Sequence, residues 1–337
     1  IFKYSIGAQM ELKIDLKSEL TISYYGFDSN EHNLKKFIDE VTKHSKYKLQ
    51  SNFLGKSVDL IIKMSRHEKS SKKKYYPYIF VIELFFKKKI AKKYELVFRE
   101  IVIHEFKLQI FKTIIATNIA YPGSLSVRGI KIYANGTKEW ELESFGDTVS
   151  LCVLDNKIKT SLKTIKLKRV WNWLMSIPGF QKEMADSQLS KVLTLLHYIF
   201  LDPREIKFET LMDGFVADII WATVALEILY LSGVDREIGK TKELVNRIGS
   251  FLRPKRKELM ITDKNIKNIY DYRSRFLHGD QEIINPFHSW EGDDFSRYFD
   301  DLRENLDMAV VIIVLTLQKL CKLNWKSLDF DILYRAR

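Results

Sequence analysis

The segment Thr262–Gly279, TDKNIKNIYDYRSRFLHG, decides how the second half of this chain folds. Its apolar residues recur every three or four positions, which predicts an amphipathic helix running to His278. Thr262 or Asp263 can cap the start of this helix, and Gly279 suits the position just after its end. One stripe of the predicted helix contains six residues: Ile266, Ile269, Tyr270, Arg273, Phe276 and Leu277.

An arginine and a histidine in this helix are candidate catalytic residues. Arg273 interrupts the apolar stripe, where an unpaired charge is costly, and its guanidinium is a permanently charged phosphate ligand. His278 can accept or donate a proton near neutral pH. The two residues are five positions apart and diverge by roughly 140° on an ideal helix. They meet at one phosphate only if the helix ends at Gly279 or if a second subunit completes the site. In the structural alternative, Arg273 pairs with a core carboxylate and His278 caps the helix C-terminus.

Several polar residues are candidates for supporting roles. Ser274 lies one helical turn before the histidine and can orient its ring. Glu227 lies in a long apolar segment, where a buried carboxylate needs a cation. Arg273 and Arg247 are both natural partners for Glu227, so the sequence leaves this pairing open. A polar line beside the apolar stripe contains Asp271, Ser274, Arg275 and His278.

This segment resembles the catalytic helix of HEPN domains, in which an arginine followed by a polar residue precedes a histidine by a few positions. More narrowly, it resembles the Apea-like HEPN family of bacterial defence proteins. Two softer matches upstream resemble earlier helices of that family: residues 225–227, which include Glu227, and residues 244–248, which include Arg247. The resemblance covers about residues 205–325. The family pattern is matched by Tyr270, Arg273, Ser274, His278 and Gly279.

The resemblance implies a metal-independent endoribonuclease in which the 2′-hydroxyl of RNA attacks the adjacent phosphodiester. His278 would act as general base or acid, Arg273 would stabilise the phosphorane, and Ser274 would orient the histidine or contact phosphate. The remaining family-matched or neighbouring polar residues would support these three: Glu227, Tyr270, Asp271, Arg275 and Arg247. Neither a cofactor nor a metal is expected.

The resemblance also implies partners and a biological role. HEPN active sites usually form between two subunits, so we expect a homodimer that binds RNA. The implied role is that of a toxin in anti-phage defence by abortive infection, with a trigger derived from the phage. The alternative is a catalytically inactive HEPN bundle that serves as a dimerisation or RNA-binding module.

Positive charge is concentrated in the front of the chain. Residues 1–200 contain 34 Lys and Arg against 20 Asp and Glu, whereas residues 201–337 contain 21 against 23. A basic front half suits contact with a polyanion such as RNA, although solvated loops and strand-edge protection explain any single cluster at least as well. Six lysines are candidate nucleic-acid contacts: Lys72, Lys73, Lys74, Lys87, Lys88 and Lys89.

The pattern of residues predicts an α+β chain with a β-rich mixed domain at 1–165 and an all-α bundle at 166–337. The turn sequence Asn135-Gly136 predicts a hairpin. The other predicted strands and helices follow from alternation and helical spacing, and residues 104–120 fit either. Strands are expected at 19–25, 58–64, 78–86, 95–103, 126–133, 138–143 and 149–154. Helices are expected at 31–48, 170–175, 187–200, 209–231, 237–252 and 293–320, in addition to the segment ending at His278.

Other features exclude several protein classes. No Walker loop or dinucleotide glycine motif occurs, which argues against ATPases and dehydrogenases. Cys152 and Cys321 lie in apolar surroundings and are expected to be reduced core residues. The longest apolar run, residues 308–317, is too short to cross a membrane, and no signal peptide is recognised. We therefore expect a cytoplasmic protein. Because the chain begins with Ile1 rather than Met, we also expect that some N-terminal residues were trimmed.

Overall fold

The computed structural model describes residues 9–23, 48–49, 58–66, 77–122, 126–143, 164–180, 184–200, 211–233, 239–253, 261–280 and 293–330. The chain divides into two compact units, Ile1–Ile114 with Val127–Phe145, and Ile115–Ser126 with Gly146–Arg337. The described residues are mostly helical and include one sheet, which agrees with the α+β class. The domain boundary expected at 165/166 stays a prediction, because residues 144–163 lie outside the described part.

The first unit contains a six-stranded sheet with the strand order β2-β3-β4-β1-β5-β6. Its longest pairing joins β1 and β4 antiparallel, from Gln9 opposite Ala91 to Ser23 opposite Pro77. The strands are β1 Gln9–Ser23, β2 Lys48–Leu49, β3 Val58–Arg66, β4 Pro77–Ala91, β5 Ser126–Ala134 and β6 Thr137–Glu143. The strands expected at 58–64, 78–86, 126–133 and 138–143 are confirmed, and the expected strand at 19–25 overlaps the end of β1. The strand expected at 149–154 and nearly all of the helix expected at 31–48 lie outside the described residues.

The turn between β5 and β6 has the expected backbone. Asn135 has φ 51° and Gly136 has φ 82°, so both central residues are in the left-handed region. A two-residue hairpin of this kind matches the twist of its flanking strands. The hairpin predicted from Asn-Gly is confirmed.

The segment after β4 is a helix, so the strand expected at 95–103 is wrong. A short 3-10 turn at Lys92–Tyr94 leads into α1, Glu95–Ala120, which also settles residues 104–120 as helical. β-Branched residues such as Val102 and Ile103 favour strands locally, but both are almost completely buried in this helix. A helix satisfies its own backbone groups within one segment, and burial of its side chains overrides the weak local preference.

The second unit contains the predicted helices. They are α2 Leu167–Met175, α3 Gln188–Phe200, α4 Leu211–Tyr230, α5 Lys240–Phe251, α6 Asp263–His278 and α7 Asp293–Leu323. α4 is central, since it contacts α3, α5, α6 and α7. α6, which contains Arg273 and His278, packs against α4, α5 and α7. In the described part of the chain, no helix combines the length and apolar character needed to cross a membrane.

Candidate active site

Local chemistry fixes both ends of α6. The side chain of Thr262 accepts a hydrogen bond from the Asn265 amide at 3.1 Å, and the Asn265 side chain accepts one from the Thr262 amide at 2.9 Å. At the other end Gly279 has φ 78°, and the Asp280 amide donates to the Arg275 carbonyl at 2.9 Å. The predicted cap at Thr262 and the predicted end at Gly279 are both confirmed.

The buried face of α6 is shifted from the predicted stripe. Ile266 and Ile269 are buried as expected, but the third fully buried side chain is Tyr272, which the stripe did not include. Leu277 was expected on the apolar face and is instead 53% exposed. The difference follows from α7, whose Tyr298 ring lies 6.3 Å from the Tyr272 ring and covers that side of α6.

Arg273 is paired with Glu227 on α4. Arg273 Nη1 lies 3.3 Å from Glu227 Oε1, and the two side chains are 24% and 20% exposed. The pair is close, but its alignment does not make a hydrogen bond: Arg273 Nε and Glu227 Oε1 are buried without a hydrogen-bond partner among the described residues. The attraction is therefore mainly one of charge, and the donors of the guanidinium are incompletely used.

Tyr270 completes this group. Burial raises the pKa of Tyr270, and the Glu227 carboxylate raises it further through its charge and a hydrogen bond, while Arg273 lowers it. Tyr270 is thus held in its neutral, hydrogen-donating form beside the carboxylate. The three residues join one turn of α6 to α4.

Arg247 lies in a different environment, which resolves the pairing that the sequence left open. Its side chain is only 5% exposed. It donates to Glu243 Oε1 at 2.5 Å and to the carbonyls of Tyr230 at 3.0 Å and Ser232 at 3.3 Å. Its guanidinium carbon also lies 4.9 Å from the centre of the Phe330 ring. Arg247 therefore holds the C-terminal end of α4, and Glu227 belongs to Arg273.

His278 is the last residue of α6 and is exposed, whereas Arg273 is half-buried against α4. Because both residues are helical, their directions differ by roughly 140° about the axis. The helix does end at Gly279, but it ends after His278 and does not turn the histidine back toward the arginine. Of the two conditions for convergence, only completion by a second copy is left. Ser274, which follows Arg273, is half-buried, and Asp271, two positions before Arg273, is exposed.

Arg275 faces a second feature, a polar cleft of about 200 Å³ between α6 and α7. Its guanidinium carbon lies 5.4 Å from the centre of the Tyr272 ring. Burial raises the pKa of Tyr272, Tyr298 and Asp301 raise it further, and Arg275 opposes them. The cleft is lined by Asn265, Asn268, Tyr272, Arg275, Asp301, Glu304 and Asn305. The sequence did not lead us to predict this cleft. A signal was present, because its four residues on α6, Asn265, Asn268, Tyr272 and Arg275, recur at helical spacing and all carry polar groups.

The predicted lysine contacts are only partly described. Lys87, Lys88 and Lys89 lie in β4, opposite Lys13, Leu12 and Glu11 of β1, so they are strand residues rather than loop residues. The cluster Lys72–Lys74 lies outside the described residues. The described part of the chain contains no group of three His, Cys, Asp or Glu side chains placed to hold a metal ion.

The arrangement offers an anchored cation, a neighbouring phenol and an exposed imidazole on one helix. An arginine stabilises phosphate charge and an imidazole transfers protons, which are the two functions that phosphodiester transfer requires. In comparisons with models of protein families, with curated proteins and with solved structures, the chain matched none.

Proposed function

We propose that this protein is a metal-independent endoribonuclease of the HEPN type, acting as a homodimer. The observation that carries the proposal is the placement of Arg273 on α6. Its guanidinium is anchored by Glu227 at 3.3 Å, and its side chain is 24% exposed, which leaves part of it within reach of a phosphate. The exposed His278 follows on the same helix and supplies the acid or base.

The proposed reaction balances without a metal. His278 performs one of the two proton transfers and water performs the other. Either His278 takes the proton of the 2′-hydroxyl as the 2′-oxygen attacks phosphorus and water protonates the departing 5′-oxygen, or His278 protonates the 5′-oxygen and water takes the proton of the 2′-hydroxyl. The bond from phosphorus to the 5′-oxygen breaks, leaving a 2′,3′-cyclic phosphate and a 5′-hydroxyl. Arg273 stabilises the extra negative charge on the phosphorane. Ser274, one turn before His278, orients the imidazole or contacts a phosphate oxygen.

A second copy of the chain supplies what one copy lacks. Within one α6 the arginine and histidine diverge by roughly 140°, so Arg273 of one copy would act with His278 of the other. Leu277, next to the histidine, is 53% exposed, and an apolar side chain at this position supports contact with another protein surface. A twofold axis beside the end of α6 would bring Arg273 of each copy to His278 of the other, which makes two equivalent sites.

The biological role belongs to the same proposal. RNA cleavage in the cytoplasm would stop growth of an infected cell, which is abortive infection. The N-terminal sheet unit would sense a phage-derived trigger or select RNA.

Cleavage of total cellular RNA in EDTA tests the proposal. Purified wild type is compared with Arg273→Ala and His278→Ala, and the fragment ends are analysed. Cleavage by wild type alone, with cyclic-phosphate ends, is expected. Equal cleavage by all three proteins would place the chemistry elsewhere and reject the assignment.

One observation favours the second candidate, a catalytically inactive HEPN module for dimerisation or RNA binding. The Arg273–Glu227 pair joins α6 to α4 and gives the arginine a structural purpose. For such a module, His278→Ala would leave dimerisation and RNA binding unchanged, and phage protection in cells would survive the substitution. Loss of protection with an intact fold would exclude it.

A further inference from the structure

A basic cleft of about 680 Å³ lies in the helical unit, away from the residues assigned to catalysis. Its size is that of pockets that bury a nucleotide-sized ligand. Four of its nine lining side chains are cations, Lys166, Lys168, Arg169 and Lys326, and none is a carboxylate. The other lining residues are Asn172, Trp173, Ser176, Cys321 and Asn324.

One wall of this basic cleft is the start of α2. Leu167, Val170 and Leu174 are buried, and the opposite, exposed face of the helix carries the cations Lys168 and Arg169. The N-cap residue Lys166 makes no side-chain cap, so the first amides of the helix lack that partner. The amides and the helix dipole add positive potential to the positive side chains.

The other wall is the end of α7 and the turn after it. Two hydrogen bonds tie this wall to α2: Arg169 Nη2 donates to the Lys322 carbonyl at 2.8 Å, and Trp173 Nε1 donates to the Trp325 carbonyl at 2.8 Å. Lys326 is held by the hydroxyl of Ser176 and by Asn324 Oδ1 at 2.9 Å. The basic cleft is therefore preformed, because hydrogen bonds within the protein join its two walls without any ligand.

Among the described residues that line the basic cleft, no carboxylate neutralises its cations. The partners of Arg169 and Lys326 are carbonyl, hydroxyl and amide oxygens, all of them neutral. Burial raises the pKa of Cys321 to about 11, so its thiol stays protonated at neutral pH. Burial also lowers the pKa of Lys326, the change expected of an ammonium group that lacks a counter-charge. Clustered like charges repel, and an anionic ligand would relieve that repulsion.

An exposed aromatic side chain, that of Trp325, is adjacent in sequence to two residues of the basic cleft, although Trp325 is not itself a lining residue. Trp325 lies between the lining residues Asn324 and Lys326 and is 49% exposed. Its ring packs against Phe251 with the centres 6.4 Å apart, which fixes one side of the indole. Clustered cations and a fixed, exposed indole on the same chain segment are the combination that binds single-stranded nucleic acid, with phosphates on the cations and a base on the ring.

We propose that the basic cleft binds the phosphate backbone of single-stranded RNA, with a base stacked on Trp325. Four cations over about 680 Å³ exceed what one phosphate needs, so consecutive phosphates of a strand are the expected ligand. This binding requires no cleavage and holds equally for an inactive module.

A binding assay with an RNA that cannot be cut keeps this test separate from the proposed reaction. Fluorescein-labelled 2′-O-methyl oligouridylate has no free 2′-hydroxyl, and its binding is followed by fluorescence anisotropy at several salt concentrations. The cleft variant is Lys166→Gln with Lys168→Gln. The matched control is Lys240→Gln with Lys242→Gln, which removes the same charge from two exposed positions on α5.

The cleft variant should bind roughly tenfold more weakly. The slope of log K against the logarithm of the salt concentration should become shallower by about 0.7 for each lysine removed. The control should change less than about twofold. Equal weakening of the two variants, or none in the cleft variant, would overturn the proposal. Displacement of the oligouridylate by inorganic phosphate as readily as by unlabelled oligouridylate would also overturn it, because a single-anion site would then suffice.

Trp325→Leu separates stacking from charge, since leucine keeps an apolar contact to Phe251. This variant should bind the oligouridylate more weakly and should bind inorganic polyphosphate, which has no bases, as tightly as wild type does. Equal losses for both ligands would overturn the assignment of stacking to Trp325.

Discussion

Arg273 Nη1 of α6 lies 3.3 Å from Glu227 Oε1 of α4. This ion pair connects α6, which contains the candidate catalytic residues, with α4 at the centre of the bundle. The pair leaves Arg273 Nε and Glu227 Oε1 buried without hydrogen bonds among the described residues. An optimised structural ion pair would use these groups. The pair therefore holds the arginine in place mainly through charge, while 24% of the Arg273 side chain stays exposed to a ligand such as phosphate.

Replacing Glu227 by Gln keeps the shape of the side chain and removes its charge. The half-buried Arg273 loses its counter-charge, so the free energy of unfolding should fall by about 1–2 kcal/mol. Urea denaturation measures this change. Glu304→Gln, at an exposed position of α7, is the matched control and should change it by less than about 0.5 kcal/mol. Equal effects of the two substitutions would contradict a stabilising role for the pair.

Arg247→Lys tests whether that arginine serves the fold rather than catalysis. Lysine cannot reproduce the three hydrogen bonds to Glu243, Tyr230 and Ser232, and a charge that is 95% buried would be left poorly paired. We expect the free energy of unfolding to fall by about 2–3 kcal/mol. RNA cleavage per folded molecule should stay at the wild-type level. A variant with normal thermal stability and lost cleavage would assign Arg247 to the active site.

Gly279→Ala tests the backbone at the end of α6. Gly279 has φ 78°, and an added Cβ would meet no atom within 4 Å, so the cost comes from the backbone conformation alone. A loss of about 1 kcal/mol is expected, and Gly279→Asn should lose less because asparagine tolerates this region. A loss with Gly279→Asn as large as that with Gly279→Ala would contradict the explanation by backbone strain.

Tyr230 makes the free energy of unfolding depend on pH in the alkaline range. Burial raises its pKa, although the hydrogen bond with Thr316 at 2.5 Å acts in the opposite direction. The unfolded chain loses this proton near pH 10 and the folded chain only above that, so stability falls as pH rises beyond about 10. Tyr230→Phe should cost about 1 kcal/mol at neutral pH and should make the alkaline decline shallower.

Denaturant titrations at a series of alkaline pH values measure this decline. Tyr198→Phe is the control, because it removes the hydroxyl of a tyrosine that is 47% exposed. An unchanged alkaline slope in Tyr230→Phe would contradict the proposed linkage.

Local signals in the sequence were reliable where neighbouring residues alone decide the structure. Thr262, Gly279 and the Asn135-Gly136 turn act through their own backbone and side chains, and each lies where it was predicted. The strand expected at 95–103 failed because burial along the whole of α1 decides that segment: Val102, Ile103, Phe106 and Ile110 are buried at helical spacing, whereas Leu96 and Val97 are exposed. The buried face of α6 was misplaced for the same reason, since Tyr298 of another helix selects Tyr272 for burial.

The candidate site divides along the same line. Spacing identified Arg273 and His278 as candidates. It could not decide whether Arg247 or Arg273 pairs with Glu227, because that choice depends on how α4, α5 and α6 pack. The basic cleft was invisible as a site, since its walls are about 150 residues apart in sequence. The sequence does contain a basic run with Lys166, Lys168 and Arg169 at one wall of the cleft, but basic runs are usually plain surface.

A mixed dimer of two inactive variants tests the central proposal most directly. Arg273→Ala and His278→Ala are co-expressed with different tags, and the dimer that contains one of each is isolated. If Arg273 of one copy acts with His278 of the other, this dimer has one complete site and should cleave RNA in EDTA at about half the wild-type rate. Cleavage by wild type without any recovery in the mixed dimer would contradict a site shared between copies.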